Sequence, residues 1–290
     1  MKNILIIGQN SYIGNSFSKY MKKYDDYSIV KVSSRNNEWE EVDFSLYDVV
    51  FNVAGIAHVD TNPRMENLYY DVNRDLPIKI AQKSKGEGVK QFIHMSSSIV
   101  YGDTSKMGGK KRITANTHPE PVNFYGKSKL QAENGLKKLR NNEFRVALIR
   151  TPLVYSELAK GNFPRLVRIA KILPIFPDVD NEQSMIYIEN LCEFIRLIID
   201  NEGDDVFFPQ NKEYVKTTDM VKLISKFCGK RILLTKLFNP LLMIFSKRIR
   251  IINKAFGSFT YDKSLSDIFN WNYCVIDFEE SLERVCKILE

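Results

Sequence analysis

The stretch IIGQNSYIGNSF, residues 6–17, closes the apolar run NILII with Gly8 and opens a helical pattern at Gly14. Glycines at a strand-to-helix turn let the chain bend tightly and bring helix N-terminal amides close to a pyrophosphate, where the helix dipole favours negative charge. The middle position of a G-x-x-G-x-x-G pattern is Ser11, which narrows the closest backbone approach and offers a hydroxyl to a phosphate instead. Tyr12 and Ile13 complete the turn. Turn glycines also occur without a ligand, so the fold is decided by the rest of the chain.

Downstream, short apolar runs alternate with helical patterns: a helix over 13–24, then YSIVKVS, YDVVFNVAG, a helix over 64–85, VKQFIHMSS, a helix over 126–140 and FRVALIR. That cadence predicts an α/β fold, a Rossmann-type doubly wound parallel sheet with helices on both faces. After residue 150 Pro152, Pro164, Pro174 and Pro177 punctuate the chain, with further helices expected near 188–201, 217–228 and 278–289. The expected division is a dinucleotide-binding domain over 1–155 and a mainly substrate-binding lobe over 156–290, some of whose segments return to the first domain.

Composition narrows the function. At 290 residues, 44% hydrophobic and 27% charged, the chain can bury a sizeable core and shows no repeat period. A formal charge of +7 suggests acidic partners, but the lysines of KYMKKY, GGKKR and SKRIR lack the aromatic interleaving of a nucleic-acid platform, so an anionic small molecule is favoured and nucleic acid is not expected. Cys192, Cys228, Cys274 and Cys286 are far apart, and His58, His94 and His118 form no ligand set, so neither a disulfide framework nor a metal site is expected. MKNILIIGQN is too short in its apolar run for a secretory signal, which fits a reducing cytoplasm. The most apolar later stretch, ILLTKLFNPLLMIF (232–245), is broken by Lys236, Asn239 and Pro240. It is shorter than a membrane span and reads as a kinked helix of the smaller lobe, with an interfacial membrane contact as the alternative.

Three further stretches carry chemistry. The end of the second strand, VKVSSRNN, has no acid for a ribose 2′-hydroxyl; Ser33, Ser34 and Arg35 stand there, and an arginine suits a 2′-phosphate. NADP(H) is therefore favoured, with NAD(H) as the alternative, and Asp43 is placed to meet the adenine amine if its register allows. QFIHMSSSIVYG puts serines at the carboxyl edge of the sheet, where ligands bind in such folds. NFYGKSKLQAE, residues 123–133, places Tyr125 and Lys129 on one face of a helix. A free tyrosine titrates near ~10, and the neighbouring ammonium is expected to draw the phenol toward neutrality, a demand of about 4 kcal/mol.

Together GQNSYIG, NVAG, YYDVNRDLP, SSSIVYG, YGKSK, IRTPLVY and FNWNYCVIDFEESLE resemble the extended short-chain dehydrogenase/reductase family of nucleotide-sugar enzymes over nearly the full length. The resemblance implies a catalytic triad of Ser97, Tyr125 and Lys129, Ser97 being the serine four residues before the tyrosine of V-Y-G. It implies cofactor contacts from Gly8, Ser11, Tyr12, Ile13, Gly14, Ser34, Arg35, Asp43, Val53, Ala54, Gly55, Asn73, Lys129 and Pro152. Through GNFPRLVRIAKILPIFPDVDNEQSMIYIENL the chain is most similar to capsule and O-antigen reductases of UDP-4-keto-6-deoxy-N-acetylhexosamines. Substrate contacts implied in this way are Ser97, Ser98, Tyr125, Asn162 and Arg165. Many members carry a diphosphate-binding arginine where Gln183 or Ser184 stands, so Arg250 or Lys254 is the substitute. Dehydratases of the family carry Asp-Glu where Ser98 and Ile99 stand, which leaves no agent for acid/base work away from the carbonyl. A C4 epimerase with tightly bound NAD, a dTDP-keto-sugar reductase and a non-catalytic dinucleotide sensor remain alternatives, and homodimerisation stays open.

Overall fold

The computed structural model describes residues 1–57, 62–159 and 162–289; His58 lies outside them, as does the side chain of Asn162. The chain divides into two compact units. The first comprises Met1–Gly102, His118–Thr151 and Leu191–Pro209; the second comprises Asp103–Thr117, Pro152–Asn190 and Gln210–Glu290.

The first unit is built on a six-stranded sheet whose order is Val206–Phe207, Arg145–Thr151, Gln91–Ser97, Val49–Asn52, Lys2–Ile7, Tyr27–Val32. Every neighbouring pair is parallel. The apolar runs are continuous because a parallel sheet covered by helices buries both faces. Leu5, Ile7, Val50, Phe92, Val146 and Leu148 form one core with Ile80, Ala81 and Leu136 of the helices. The alternate residues Ile4, Ile6, Phe51 and Ile93 are buried too, and Phe51 meets Phe17 edge-on at 5.4 Å. Each such side chain contributes about 1.5–3 kcal/mol of apolar transfer. From Lys2–Ile7 the chain passes to the neighbouring strand on one side and then returns to the other, so the switch point lies between Lys2–Ile7 and Val49–Asn52. The carboxyl ends of these strands form the crevice such sheets use for ligands.

The expected helix over 64–85 is interrupted. The chain runs through Glu66–Tyr70, a π turn at Asp71–Asp75 and then Leu76–Gly86. The helices expected near 188–201, 217–228 and 278–289 are Ile188–Asp200, Thr217–Phe227 and Phe278–Leu289.

In the second unit three two-stranded parallel pairs join Leu153–Tyr155 to Met185–Tyr187, Arg112–Ile113 to Thr260–Tyr261, and Ile175–Pro177 to Leu233–Thr235. Residues 232–245 are thus not one kinked helix. Leu233–Thr235 is a strand because its backbone pairs with Ile175–Pro177, and Pro240 stands in the first turn of the separate helix Asn239–Ser246, where a missing N–H does no harm. No helix of the described residues is long and apolar enough to cross a membrane.

Candidate active site

Gly8 has φ 120°, a conformation that favours glycine, and its N–H and that of Gln9 both donate to the Val32 carbonyl at 2.9 and 3.0 Å. The turn is thereby tied to the end of Tyr27–Val32. A Cβ on Gly8 would lie 3.0 Å from the Ala54 nitrogen, and one on Gly14 would lie 3.0 Å from Val53 Cγ2. The glycine turn, the first helix and the loop after Val49–Asn52 therefore converge at the switch point. Ser11 is the N-cap of the helix Tyr12–Tyr20, its Oγ accepting from Gly14 N at 3.3 Å, so its acceptor role belongs to the helix and its O–H is what it can offer a phosphate. The Ile13 amide stands in the first turn, where helix geometry supplies no acceptor. A tight turn and a helix N-terminus, packed so closely on the Val53–Ala54 loop that a Cβ at Gly8 would press on it, suit a dinucleotide pyrophosphate.

Two buried asparagines fix the loop after Val49–Asn52. Asn52 Oδ1 accepts from Ala54 N at 3.2 Å while its Nδ2 meets His94 Nδ1 at 3.1 Å. Asn73 accepts from Ile56 N at 2.8 Å and donates to Ile56 O at 3.0 Å. Both ends of the Asn73 amide are used, so the residue clamps the loop from within the π turn Asp71–Asp75. Beyond Tyr27–Val32, Ser34 is half-buried and Arg35 exposed. Arg35 N donates to Ser33 Oγ at 3.1 Å, and its guanidinium makes no ion pair with a described residue. Asp43 Oδ1 accepts from Ser45 N at 3.0 Å and Ser45 Oγ at 2.6 Å, which caps the turn Phe44–Leu46 and holds the carboxyl below its usual range.

Ser97 ends its strand, and the helix Phe124–Lys137 brings Tyr125 to it. Asn123 caps that helix through Gly126 N at 2.9 Å. A Cβ on Gly126 would stand 2.8 Å from the Ile99 carbonyl, so the glycine of YGKSK permits the helix to approach the serine turn. Tyr69 packs edge-on against Tyr125 at 5.8 Å. The three serines have separate partners: Ser96 Oγ donates to Glu133 Oε1 at 2.5 Å, Ser97 Oγ accepts from Ile99 N at 3.3 Å, and half-buried Ser98 begins the following turn. Lys129 is buried, donates to the Met95 carbonyl at 2.8 Å, and has Nζ 3.3 Å from where a Gly55 Cβ would be.

The expectation that Lys129 draws the phenol toward neutrality is corrected by this geometry. Burial pushes Tyr125 up to about 12, opposed by a hydrogen bond with Ser97. Lys129 itself is brought down to about 8 by burial, opposed by Glu133. Its ammonium is directed at a backbone carbonyl and the Gly55 loop, so desolvation, which disfavours charge on both groups, outweighs any mutual attraction.

Sequence reasoning missed the buried network behind Ser97, Tyr125 and Lys129. Glu133 is one helical turn beyond Lys129 and fully buried, and Arg150 Nε and a terminal nitrogen reach its carboxylate at 3.0 and 2.5 Å. Arg150 also donates to the Tyr101 hydroxyl at 2.5 Å. The i, i+4 relation of Lys129 and Glu133 and the charge inside the apolar run FRVALIR were the available signals.

The remaining sequence-derived residues lie in the second unit. Asn162 opens the helix Asn162–Ile172, on which Arg165 is exposed. Arg250 pairs with Asp103 at 3.2 Å, and Lys254 is exposed. Gln183 is buried and donates to the carbonyls of Lys254 and Gly257 at 3.3 and 3.0 Å, and Ser184 donates to Gln210 at 2.5 Å. Both are thus spent on the unit's interior. Pro152 directly follows the strand Arg145–Thr151. Among the described residues no cluster of His, Cys, Asp and Glu could hold a metal ion.

Residues 4–207 match the model of the NAD dependent epimerase/dehydratase family. A UDP-glucose 4-epimerase of Vibrio cholerae is 30% identical over 246 residues, 76% of this chain and 74% of that one. An N-acetyl-alpha-D-glucosaminyl-diphospho-ditrans,octacis-undecaprenol 4-epimerase of Escherichia coli O157:H7 is 27% identical over 279 residues, 88% of this chain and 81% of that one. Among solved structures, a dTDP-4-dehydrorhamnose reductase from Clostridium acetobutylicum superposes with a TM-score of 0.75 at 19% identity, covering 99% of both chains.

Proposed function

The chain belongs to the NAD dependent epimerase/dehydratase family and is an NAD(P)-dependent enzyme of the extended short-chain dehydrogenase/reductase type, and from that premise we propose that it reduces the 4-keto group of a nucleotide-linked 4-keto-6-deoxy sugar with NADPH. The sugar is of the UDP-N-acetylfucosamine or UDP-N-acetylquinovosamine type, made in the cytoplasm for a bacterial surface polysaccharide. The observation that carries this reading is the acid-free end of Tyr27–Val32, where Arg35 is exposed and its guanidinium makes no ion pair with a described residue. It suits the 2′-phosphate of a consumed reductant rather than the ribose hydroxyl of a resident NAD.

Reduced nicotinamide, when bound, supplies the hydride. Tyr125 holds the proton, in the state that burial favours, and donates it to the oxygen at C4 as charge develops there. Ser97 hydrogen-bonds the same oxygen, and Lys129, fixed beside Gly55 and Asn73, would hold the nicotinamide ribose. With Ser98 and Ile99 following Ser97, no carboxylate stands at those two positions to serve C5 and C6.

NADPH oxidation against a panel of UDP- and dTDP-4-keto-6-deoxy sugars, with products resolved by NMR, tests the reading; no consumption with any of them defeats it. UDP-N-acetylglucosamine with oxidised cofactor is expected to give no 4-keto-6-deoxy product. Arg35→Ala should lower the kcat/KM preference for NADPH over NADH by about tenfold, the low end for a charged hydrogen bond because the side chain is exposed. Equal use of both cofactors by the wild type would contradict it.

The names of the two curated relatives favour a second reading, C4 epimerisation with retained NAD, in which the sugar is carried on UDP or on undecaprenyl diphosphate. NAD that copurifies with the protein, and interconversion of C4 epimers without net NADPH use, would select it.

A further inference from the structure

The excess of positive over negative charge in this chain falls in one segment. Between Asp219 and Asp262 there is no acidic residue and there are nine lysines and arginines, more than the net +7 of the whole sequence. The same segment exposes its apolar residues. Leu237 and Ile244 are 84% and 64% exposed, and Leu241, Met243, Phe245 and Ile249 also lie on the surface.

This surface is held in place rather than frayed. Asn239, at the start of Asn239–Ser246, donates to the Asp178 carbonyl at 2.8 Å. At the other end Asn253 donates to the Ser246 carbonyl at 2.7 Å and accepts from Met107 N at 2.9 Å. The polar groups at both ends are anchored while the apolar side chains between them face outward. Lys236, Lys247 and Arg248 flank them, are exposed, and make no ion pair with a described residue.

We propose that the helix Asn239–Ser246 and its basic flanks dock this enzyme on an anionic lipid bilayer. Eight residues of helix span about 12 Å, against a hydrocarbon core of ~30 Å, so the helix lies in the interface rather than crossing it. Exposed apolar residues enter the headgroup boundary while lysines and arginines meet anionic lipid. A second copy of the chain fits less well. An isologous pairing brings a patch against itself, and here it would set the mainly basic flanks Lys236, Lys247 and Arg248 against a surface of the same charge. The proposal does not rest on the reaction assigned above, because its test reads binding and not turnover.

The full chain should float with vesicles of phosphatidylcholine containing about 30% phosphatidylglycerol, far more than with phosphatidylcholine alone, and the binding should weaken with added salt. Lys247→Gln and Arg248→Gln should each reduce the partition coefficient by ~5-fold. Leu241→Asn with Ile244→Asn should abolish flotation while circular dichroism and melting stay at wild-type values, since both side chains are exposed. Absence of flotation by the wild type, or flotation unchanged in all these variants, overturns the proposal. A dimer in sedimentation velocity that Ile244→Asn dissociates, without vesicle binding, overturns it in favour of self-association.

Discussion

Tyr125→Phe lowers keto-sugar reduction by about 10²–10⁴-fold and leaves NADPH affinity near the wild-type value. The ring keeps its edge-on contact with Tyr69, so packing survives and only the hydroxyl that faces Ser97 is lost. Lys129→Met behaves differently, because its ammonium sits against the Met95 carbonyl and the Gly55 loop, which the proposal gives to the cofactor. Both the NADPH Kd and the rate should worsen. The direction of the lysine's shift sets the pH dependence: with Lys129 brought down to about 8, the ammonium is present below that pH and lost above it. Cofactor affinity of the wild type should therefore weaken as pH rises through about 8, and that inflection should be missing in Lys129→Met. Fluorescence titration beside steady-state rates reads all of these, and near-normal turnover by Tyr125→Phe would end the proposed mechanism.

Glu133→Leu should destabilise the protein by about 3–5 kcal/mol, the usual consequence of removing one partner from a buried ion pair. Arg150 is 6% exposed and Glu133 is 0% exposed, so neither charge has water to turn to. The carboxylate also accepts from Ser96, and the loss strands that hydroxyl as well. Replacing both partners, Glu133→Leu with Arg150→Met, should recover much of the loss, since an apolar pair of similar volume needs no charge compensation. Urea titration of the two single variants and the double variant gives the comparison. A single change that shifts stability by less than ~1 kcal/mol, or a double variant as unstable as the sum of the singles, would refute the account.

The sheet was legible because its determinants are local. Four-to-seven-residue apolar runs and turn glycines announce buried parallel strands wherever they stand, and the positions of Gly8, Ser97, Tyr125 and Lys129 in their elements come from the same pattern. The family resemblance prefers Ser97 to Ser96 by its place four residues before Tyr101. The physical distinction is that successive strand residues point to opposite sides, and Ser96 is turned to Glu133.

What the tertiary structure alone decided depends on partners distant in the chain. Asn73 bonds Ile56 across 17 residues and the helix takes up a π turn, which no helical propensity foretells. Residues 233–235 are a strand because residues 175–177 lie beside them. The protonation of Tyr125 and Lys129 is set by how much solvent the fold removes from each, and the pattern Y-x-x-x-K specifies their spacing but not their burial. Glu133 and Arg150 read in isolation as a solvated helix charge and an odd arginine in a strand. Periodicity and turn chemistry are properties of a few consecutive residues, so the sequence by itself determined the alternation of strands and helices that builds the sheet of the first unit. Desolvation and pairing are properties of the whole packed unit, so they came into being only when the chain closed around these side chains.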